Sequence, residues 1–508
     1  MKITKLFPFF NPLIICLFFI IFLYSNNLGE DIEFIEILSL FTIGALFSYL
    51  ILAISMLILK SINKASFFSS ISLFLFFSYG YFYELFNEII FLKEISRHRY
   101  IIPIVAILFL YILFRIIKSR KKFIIFHKIF FISFLSLTII NSLMILNHDL
   151  GPSRPITEDI KIEINTKDNL PDVYHIVLDF YAGEDILRTR FGFDNNGFIN
   201  ELNSLGFKKE NLKANYQYTH LSIPSITNMK HFYGADEDEK NYMNETYFSF
   251  DKSVEAHIAK KLGYEVVEIS TIDDNFFSSI FGDFSKIFLR TSMLSIVDDS
   301  PLPIHNLWLS KKQRHFQENL NKLSKIHENS EMTWVYFYST PPHSPFIFNS
   351  DGPKELDPKK TNEYYFSGEW DFEKKENYIE QLKYVNKVTL ETIREILKNS
   401  SNSIIIIHSD HGIHGVDHGI KNYSDDITVN DDGNISEEVF QERFSTISFI
   451  YTPDNCIDNQ DRIKTNINII STLFRKCFDL EIPDNEDTKY WNPYKTKELI
   501  KINKFSTK

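Results

Sequence analysis

Residues 403–412 read SIIIIHSDHG: four consecutive isoleucines, then His408, Ser409, Asp410, His411 and Gly412. A short apolar run stopped by polar, turn-forming residues is the pattern of a strand buried on both faces. Similar runs fall at Val173–Leu178, Tyr264–Ile269, Thr333–Tyr338 and Thr446–Tyr451, beside this one at Ser403–Ile407. Between them lie stretches of helical character, Lys311–His327, Glu373–Leu397 and Arg462–Phe478. Strands alternating with helices predict an α/β domain whose mainly parallel central sheet is covered by helices on both faces.

Ligands of such sheets bind just beyond the carboxyl ends of the strands. Here those ends carry chemistry. The first run ends in Asp179. The Thr333–Tyr338 run leads into Ser339-Thr340-Pro341-Pro342-His343. The isoleucine run ends in His408-Ser409-Asp410-His411, with His414 and His418 soon after. An Asp after a strand is often only a turn residue. Three strands that deliver Asp, His and Asp-His to one edge make a set of donors suited to a divalent metal. Residues 215–229, NYQYTHLSIPSITNM, add hydroxyls at helical spacing, Thr219, Ser222 and Ser225. A hydroxyl held at a metal and a helix start can ionise and act as a nucleophile.

The first 150 residues differ from the rest. They hold 13 Lys and Arg against 8 Asp and Glu, leaving 41 against 57 for the remainder. The whole-chain balance of −11 excludes a dedicated nucleic-acid binder. Five runs reach the roughly 20 apolar residues needed to cross a bilayer: about Leu6–Tyr24, Phe34–Leu59, Phe67–Leu85, Ile101–Ile117 and Ile129–Leu146. Lys2 and Lys5, Lys60 and Lys64, and Arg115 with Lys118, Arg120, Lys121 and Lys122 place the N-terminus, loop two and loop four in the cytoplasm. Lys93, Arg97 and Arg99 in loop three oppose that rule. Five spans then predict a multi-pass cell-membrane protein with its C-terminal domain extracytoplasmic. The expected organisation is a transmembrane domain at 1–146, a linker at 147–171 and an exported domain at 172–508. Of three cysteines, Cys456 and Cys477 fall where a disulfide is allowed; the sequence leaves open whether they pair.

The motifs PDVYHIVLDFYA (171–182), NYQYTHLSIPS (215–225), PPHSPF (341–346), HSDHG (408–412) and ERFSTISFIYTP (442–453) resemble, in order and spacing, the membrane-anchored sulfatase-like enzymes of the alkaline phosphatase superfamily. Phosphoethanolamine transferases and lipoteichoic acid synthases are the members most resembled. The resemblance implies Asp179, Thr219, Asp410 and His411 as metal ligands, Thr219 as nucleophile, and His343 and His418 as substrate contacts, with His414 the alternative to His418. Ile226 stands where true sulfatases carry Arg, and no Cys occupies the position converted to formylglycine, which speaks against a sulfatase. Phe180 takes the place of a second Asp, which leaves one divalent ion: zinc or manganese suits the donor set, and magnesium is admissible.

The function so implied is transfer of a phospholipid head group, of phosphoethanolamine or phosphoglycerol type, through a phospho-threonine. The donor is a membrane phospholipid and the acceptor an envelope glycan or lipid. A hydrolase using water as acceptor and a non-catalytic envelope assembly protein are the alternatives.

Overall fold

The computed structural model describes residues 6–27, 34–88, 98–120, 123–149, 170–270, 284–298, 303–326, 332–357, 364, 372–400, 402–413, 433–457, 463–493 and 498–506. The chain forms two compact units: Met1–Pro152 with Asp274–His305, and Ser153–Asp273 with Asn306–Lys508.

The first unit holds helices α1 (Phe7–Ser25), α2 (Phe34–Leu59), α3 (Ile62–Glu88), α4 (His98–Lys118) and α5 (Ile124–Asp149). Five described helices are long and apolar enough to cross a membrane. Their outward faces are apolar too: Leu46, Leu57, Ile104, Ile107, Leu110 and Ile125 are among the most exposed side chains, the reverse of a water-facing helix. Polar pairs lie inside instead. Ser25 Oγ donates to Asn141 Oδ1 at 2.7 Å, and Asn11 meets His127 at 3.0 Å, both between α1 and α5.

A return segment joins this unit. Helix Phe284–Thr291 buries Phe284 and Leu289, the Phe284 N–H donates to the Glu36 carboxylate, and the Met293 N–H donates to Phe76 O at 2.8 Å. The expectation of one continuous domain over 172–508 does not anticipate this segment; its apolar residues find their partners on α1, α2 and α3.

The second unit is built on a six-stranded sheet of β1 (Asp172–Leu178), β2 (Lys208–Lys209), β3 (Glu265–Ser270), β4 (Thr333–Ser339), β5 (Ser403–His408) and β6 (Ser448–Tyr451), in the order β2-β6-β5-β1-β4-β3. The strands β5, β1, β4 and β3 are parallel. β6 runs antiparallel to β5, and β2 antiparallel to β6. Alternation along β1 splits the core into two layers. Tyr174, Ile176 and Leu178 face α6 (Glu184–Phe191), α7 (Asn196–Ser204), α11 (Pro303–Lys325) and α12 (Phe372–Asn399). Val173 and Val177 face α8 (Thr219–Thr227), α10 (Val254–Lys261) and α14 (Ile469–Cys477). Helices α9 (Glu237–Phe248) and α13 (Glu437–Phe444) and three small two-stranded pairings also belong to the unit.

Two expected elements are shorter than the sequence suggests. Among the described residues of the Arg462–Phe478 stretch, helical turns begin only at Asn466. Ahead of them Thr465 bridges to Lys213, and its hydroxyl is held by Asn215. The last strand begins at Ser448, because Thr446 forms an isolated bridge with Ala182. Cys456 and Cys477 are joined as a disulfide.

Candidate active site

Three chain segments meet beyond the carboxyl edge of β1, β4 and β5. The Asp179 N–H donates to Ser339 O at 2.9 Å, which extends the β1–β4 ladder one residue past the strand and fixes where Asp179 starts. Phe180 then takes a left-handed conformation, φ +63°, and the chain turns away. At the end of β5, Ser409 N–H donates to Ile447 O at 3.1 Å and Gly412 N–H to Arg443 O at 2.9 Å. Gly412 lies so close to the backbone of 442–445 that a Cβ there would collide with the Glu442 carbonyl oxygen. Only glycine lets the turn that follows Asp410 and His411 pack down this far.

Helix α8 supplies the third piece. Tyr218 is extended, and Thr219 is the first helical residue, so its hydroxyl sits at the positive end of the helix dipole. Thr219 Oγ1 lies 3.0 Å from His411 Nε2. The other ring nitrogen, Nδ1, lies 2.7 Å from Gly412 O. A carbonyl can only accept, so Nδ1 carries the proton and Nε2 presents its lone pair to the site. That Nε2 is 3.5 Å from Asp410 Oδ2 and 3.8 Å from Asp179 Oδ1. Asp179, Asp410 and His411 offer ligand atoms all within 4.8 Å of one another.

The two carboxylates are 5% and 0% exposed. Asp179 Oδ1 and Asp410 Oδ2 have no hydrogen-bond partner among the described residues. Burial and the Asp410 carboxylate push the Asp179 carboxyl well above the usual range, against a hydrogen bond from Tyr338. Two buried acids with orphaned oxygens, an imidazole lone pair and a hydroxyl form an arrangement that a divalent cation completes. The residues therefore fit the ion that the sequence implies.

His343 lies across Phe180 from His411. The Phe180 ring is 4.7 Å from His343 edge-to-face and 6.0 Å from His411. His343 Nδ1 meets Ser344 O at 2.7 Å, and burial pushes the ring down to about 4. His343 is thus neutral near pH 7, with its lone pair on Nε2. Ser222 is committed elsewhere: its Oγ donates to Asp410 O at 2.6 Å. Ser225 Oγ donates to Leu221 O within the helix. His414 and His418 lie outside the described residues.

Sequence reasoning missed several contributors. Tyr338 hydrogen-bonds Asp179 from β4, and strand alternation from Trp334 and Tyr336 could have placed it. Asn466 Nδ2 donates to Ser409 O at 2.7 Å and to Asp410 O at 3.3 Å; it is far away in sequence and has no local signal. Lys312, held down to about 8 by burial, acts electrostatically on His343.

The class defined by fold and site is an α/β domain with a metal-type donor cluster and a helix-start hydroxyl at the carboxyl edge of its sheet. Solved structures similar to the chain include the C-terminal periplasmic domain of EcEptC from Escherichia coli, 14% identical over 68% of this chain and 95% of that one, TM-score 0.41. Another is the integral membrane lipooligosaccharide phosphoethanolamine transferase A (EptA) from Neisseria meningitidis, 13% identical over 94% and 96%, TM-score 0.39. A third is the lipoteichoic acid synthase LtaP from Listeria monocytogenes, 15% identical over 65% and 81%, TM-score 0.36. No family model and no curated protein matches the sequence. At these TM-scores the likeness does not carry the functional reading, which rests on the geometry of the site.

Proposed function

We propose that the chain is a divalent-metal-dependent, membrane-bound phosphotransferase of the sulfatase-like, alkaline phosphatase type. It moves the head group of a membrane phospholipid to an envelope glycan or lipid through a covalent Thr219 ester. The observation that carries this reading is Thr219 Oγ1, 3.0 Å from the His411 lone pair that also faces two orphaned carboxylate oxygens. Asp179, Asp410 and His411 would hold the ion, with the Thr219 hydroxyl beside it. A zinc, manganese or magnesium ion there would lower the hydroxyl pKa and offset charge on the transferring phosphoryl group.

In the first step Thr219 Oγ forms a bond to phosphorus, and the bond from phosphorus to the glycerol oxygen breaks. Diacylglycerol leaves with a proton. In the second step an acceptor hydroxyl forms its bond to phosphorus, the Thr219 ester bond breaks, and Thr219 regains its proton. His343, neutral with a free Nε2 lone pair, suits the task of taking the acceptor's proton. This narrows the expected substrate contact, because a neutral ring whose Nδ1–H is spent on Ser344 has no second N–H to offer.

The same reading places residues 147–508 outside the cytoplasm. The loop charges support it, and so does the Cys456–Cys477 disulfide, which suits an oxidising compartment. The test is a phospholipid labelled in its head group, given to membranes containing the full chain and an added divalent metal. Label appearing on envelope material supports transfer. Free head group supports the hydrolase alternative. No release of either kind contradicts an enzymatic role and favours the assembly protein.

A further inference from the structure

Residues 231–235 read HFYGA. The Ala235 N–H donates to Phe232 O at 3.2 Å, and Gly234 takes φ +81°. The chain therefore turns sharply at Tyr233-Gly234, in a conformation that suits a residue without a Cβ. The turn separates two neighbouring rings. Phe232 is buried, its N–H held by Tyr216 Oη at 2.9 Å. Tyr233 is 51% exposed, and among the described residues of the second unit no other large apolar or aromatic side chain stands exposed.

A loose aromatic on a surface needs no explanation. This one is built in. The Tyr233 ring stacks on Tyr490, centroids 4.8 Å apart and 20° from parallel, and Tyr490 stacks in turn on Tyr216 at 5.6 Å and 20°. Tyr490 and Tyr216 are both buried, so three rings form a column from the core to the surface. Tyr490 covers one face of Tyr233, which leaves the exposure on the other face and the rim. His231 meets the Tyr490 ring edge-on at 5.2 Å, and its two ring nitrogens lie 3.2 Å from Tyr216 Oη and 3.1 Å from Glu486 O. The chain leading to Tyr490 is charged: Glu486 and Asp487 are exposed, and Asp487 pairs with Lys489.

The column is tied to the segment that carries the nucleophile. The Tyr490 N–H donates to Asn215 O at 2.9 Å, Tyr216 and Tyr490 form a parallel bridge, and Gln217 Nε2 donates to Asn492 O at 2.7 Å. Thr219 follows Tyr216 by three residues, a reach of at most about 11 Å along the chain.

We propose that Tyr233, backed by Tyr490, is a carbohydrate-stacking platform that holds a sugar ring of the acceptor glycan near the Thr219 site. The inference rests on the phosphotransferase reading above and selects the glycan from its two classes of acceptor. A sugar ring has a face of C–H groups and a rim of hydroxyls. The first matches a bare aromatic face, and the second matches the charged side chains of 486–489. A ring already fixed by stacking loses little freedom when it binds. A bilayer matches poorly, because one ring framed by charges offers too little apolar area to hold it. A nucleic acid matches poorly too. Beyond residue 150 the chain carries 41 Lys and Arg against 57 Asp and Glu, a balance that repels a polyanion.

The experiment uses the full chain in a detergent without a sugar head group. Delipidated cell-envelope polysaccharide is the acceptor and head-group-labelled phospholipid the donor. Wild type is compared with Tyr233→Ala and Tyr233→Trp, with circular dichroism to confirm folding. The account predicts that Tyr233→Ala raises KM for the polysaccharide about 3–10-fold, the worth of one aromatic contact, and that Tyr233→Trp restores it. Formation of the Thr219 adduct without acceptor should proceed alike in all three. An unchanged polysaccharide KM in Tyr233→Ala overturns the platform. A raised KM for the phospholipid instead, or loss of the adduct, also overturns it, by putting lipid on the ring or making the ring a prop for Thr219. If wild type itself forms no adduct, the phosphotransferase reading falls, and binding alone decides the platform. Labelled full chain is then applied to an oligosaccharide array. Binding that weakens in Tyr233→Ala supports the platform; no binding, or equal binding, overturns it. Should Tyr233→Ala not fold, the array is read with wild type and Tyr233→Trp, and absence of binding by both overturns the platform.

Discussion

At the carboxyl edge of the sheet, Asp179 and Asp410 are buried with one oxygen each left without a partner. Further back on the same strands, His175 and His408 are as fully buried as Asp410, yet all four of their ring nitrogens have partners. The interior cluster they form with Glu255 of α10 has a single loose end, Glu255 Oε2. The difference separates scaffold from site. Buried polar groups are ordinarily satisfied because desolvation without a partner costs about 1–3 kcal/mol, more for a charge. A cluster that closes on itself specifies the fold. One that leaves its lone pairs aimed at a common point is shaped for something that arrives later.

That contrast can be tested in both directions. The largest effect is expected for Thr219→Ala, which removes the hydroxyl facing the open cluster. Turnover should fall by up to about a million-fold, the cost of losing a nucleophile, with folding intact. Ser222→Ala, which loses only its bond to the Asp410 carbonyl, should cost about tenfold, the value of one such hydrogen bond. Initial rates on labelled lipid measure both.

Next come stabilities of the ion-free protein by denaturant titration. His175→Phe takes from Glu255 Oε1 one of its two hydrogen-bond partners, leaving only Trp334, and should cost about 1–3 kcal/mol. Asp410→Asn relieves the crowding of two buried acids and should instead stabilise the ion-free chain, by about 1–2 kcal/mol. Substitutions of the same sign at both places would erase the distinction between the clusters.

The smallest effect is the pH response. Burial lowers His343 to about 4 and His408 to about 3 from an ordinary 6.5. Folded values below unfolded ones mean the unfolded chain binds more protons in this window, so stability rises with pH. Their contribution is full above about 6.5 and is lost as pH falls toward 4. Asp179, raised by burial and by Asp410, has the opposite slope. Comparing wild type with His343→Gln isolates the imidazole. Between pH 7 and 4 wild type should lose about 1–3 kcal/mol relative to the variant, because each tenfold change in proton affinity on folding is worth roughly 1.4 kcal/mol. Parallel curves would show that His343 is not held neutral by burial.

The sheet and its edge were readable because apolar runs stop abruptly at polar residues. Val173–Leu178 halts at Asp179, and Ile404–Ile407 halts at His408-Ser409-Asp410-His411. Thr219 was readable from its place ahead of a hydroxyl-spaced helix. The interior cluster was not. His175 sits inside an apolar run and reads as an interruption, and Glu255 lies 80 residues further on, in a helix whose partner strand no local pattern names. The return segment at Phe284 was missed for a related reason: eight helical residues are too few to show which surface their apolar side chains will meet.

The central claim is that Thr219 becomes covalently bound to the transferred head group. Head-group-labelled phospholipid is mixed with the full chain and divalent metal, quenched within a turnover, digested and mapped by mass spectrometry. The account predicts an adduct on Thr219, absent from Thr219→Ala and retained in Ser222→Ala. An adduct on Ser222, or one that survives Thr219→Ala unchanged, would contradict it.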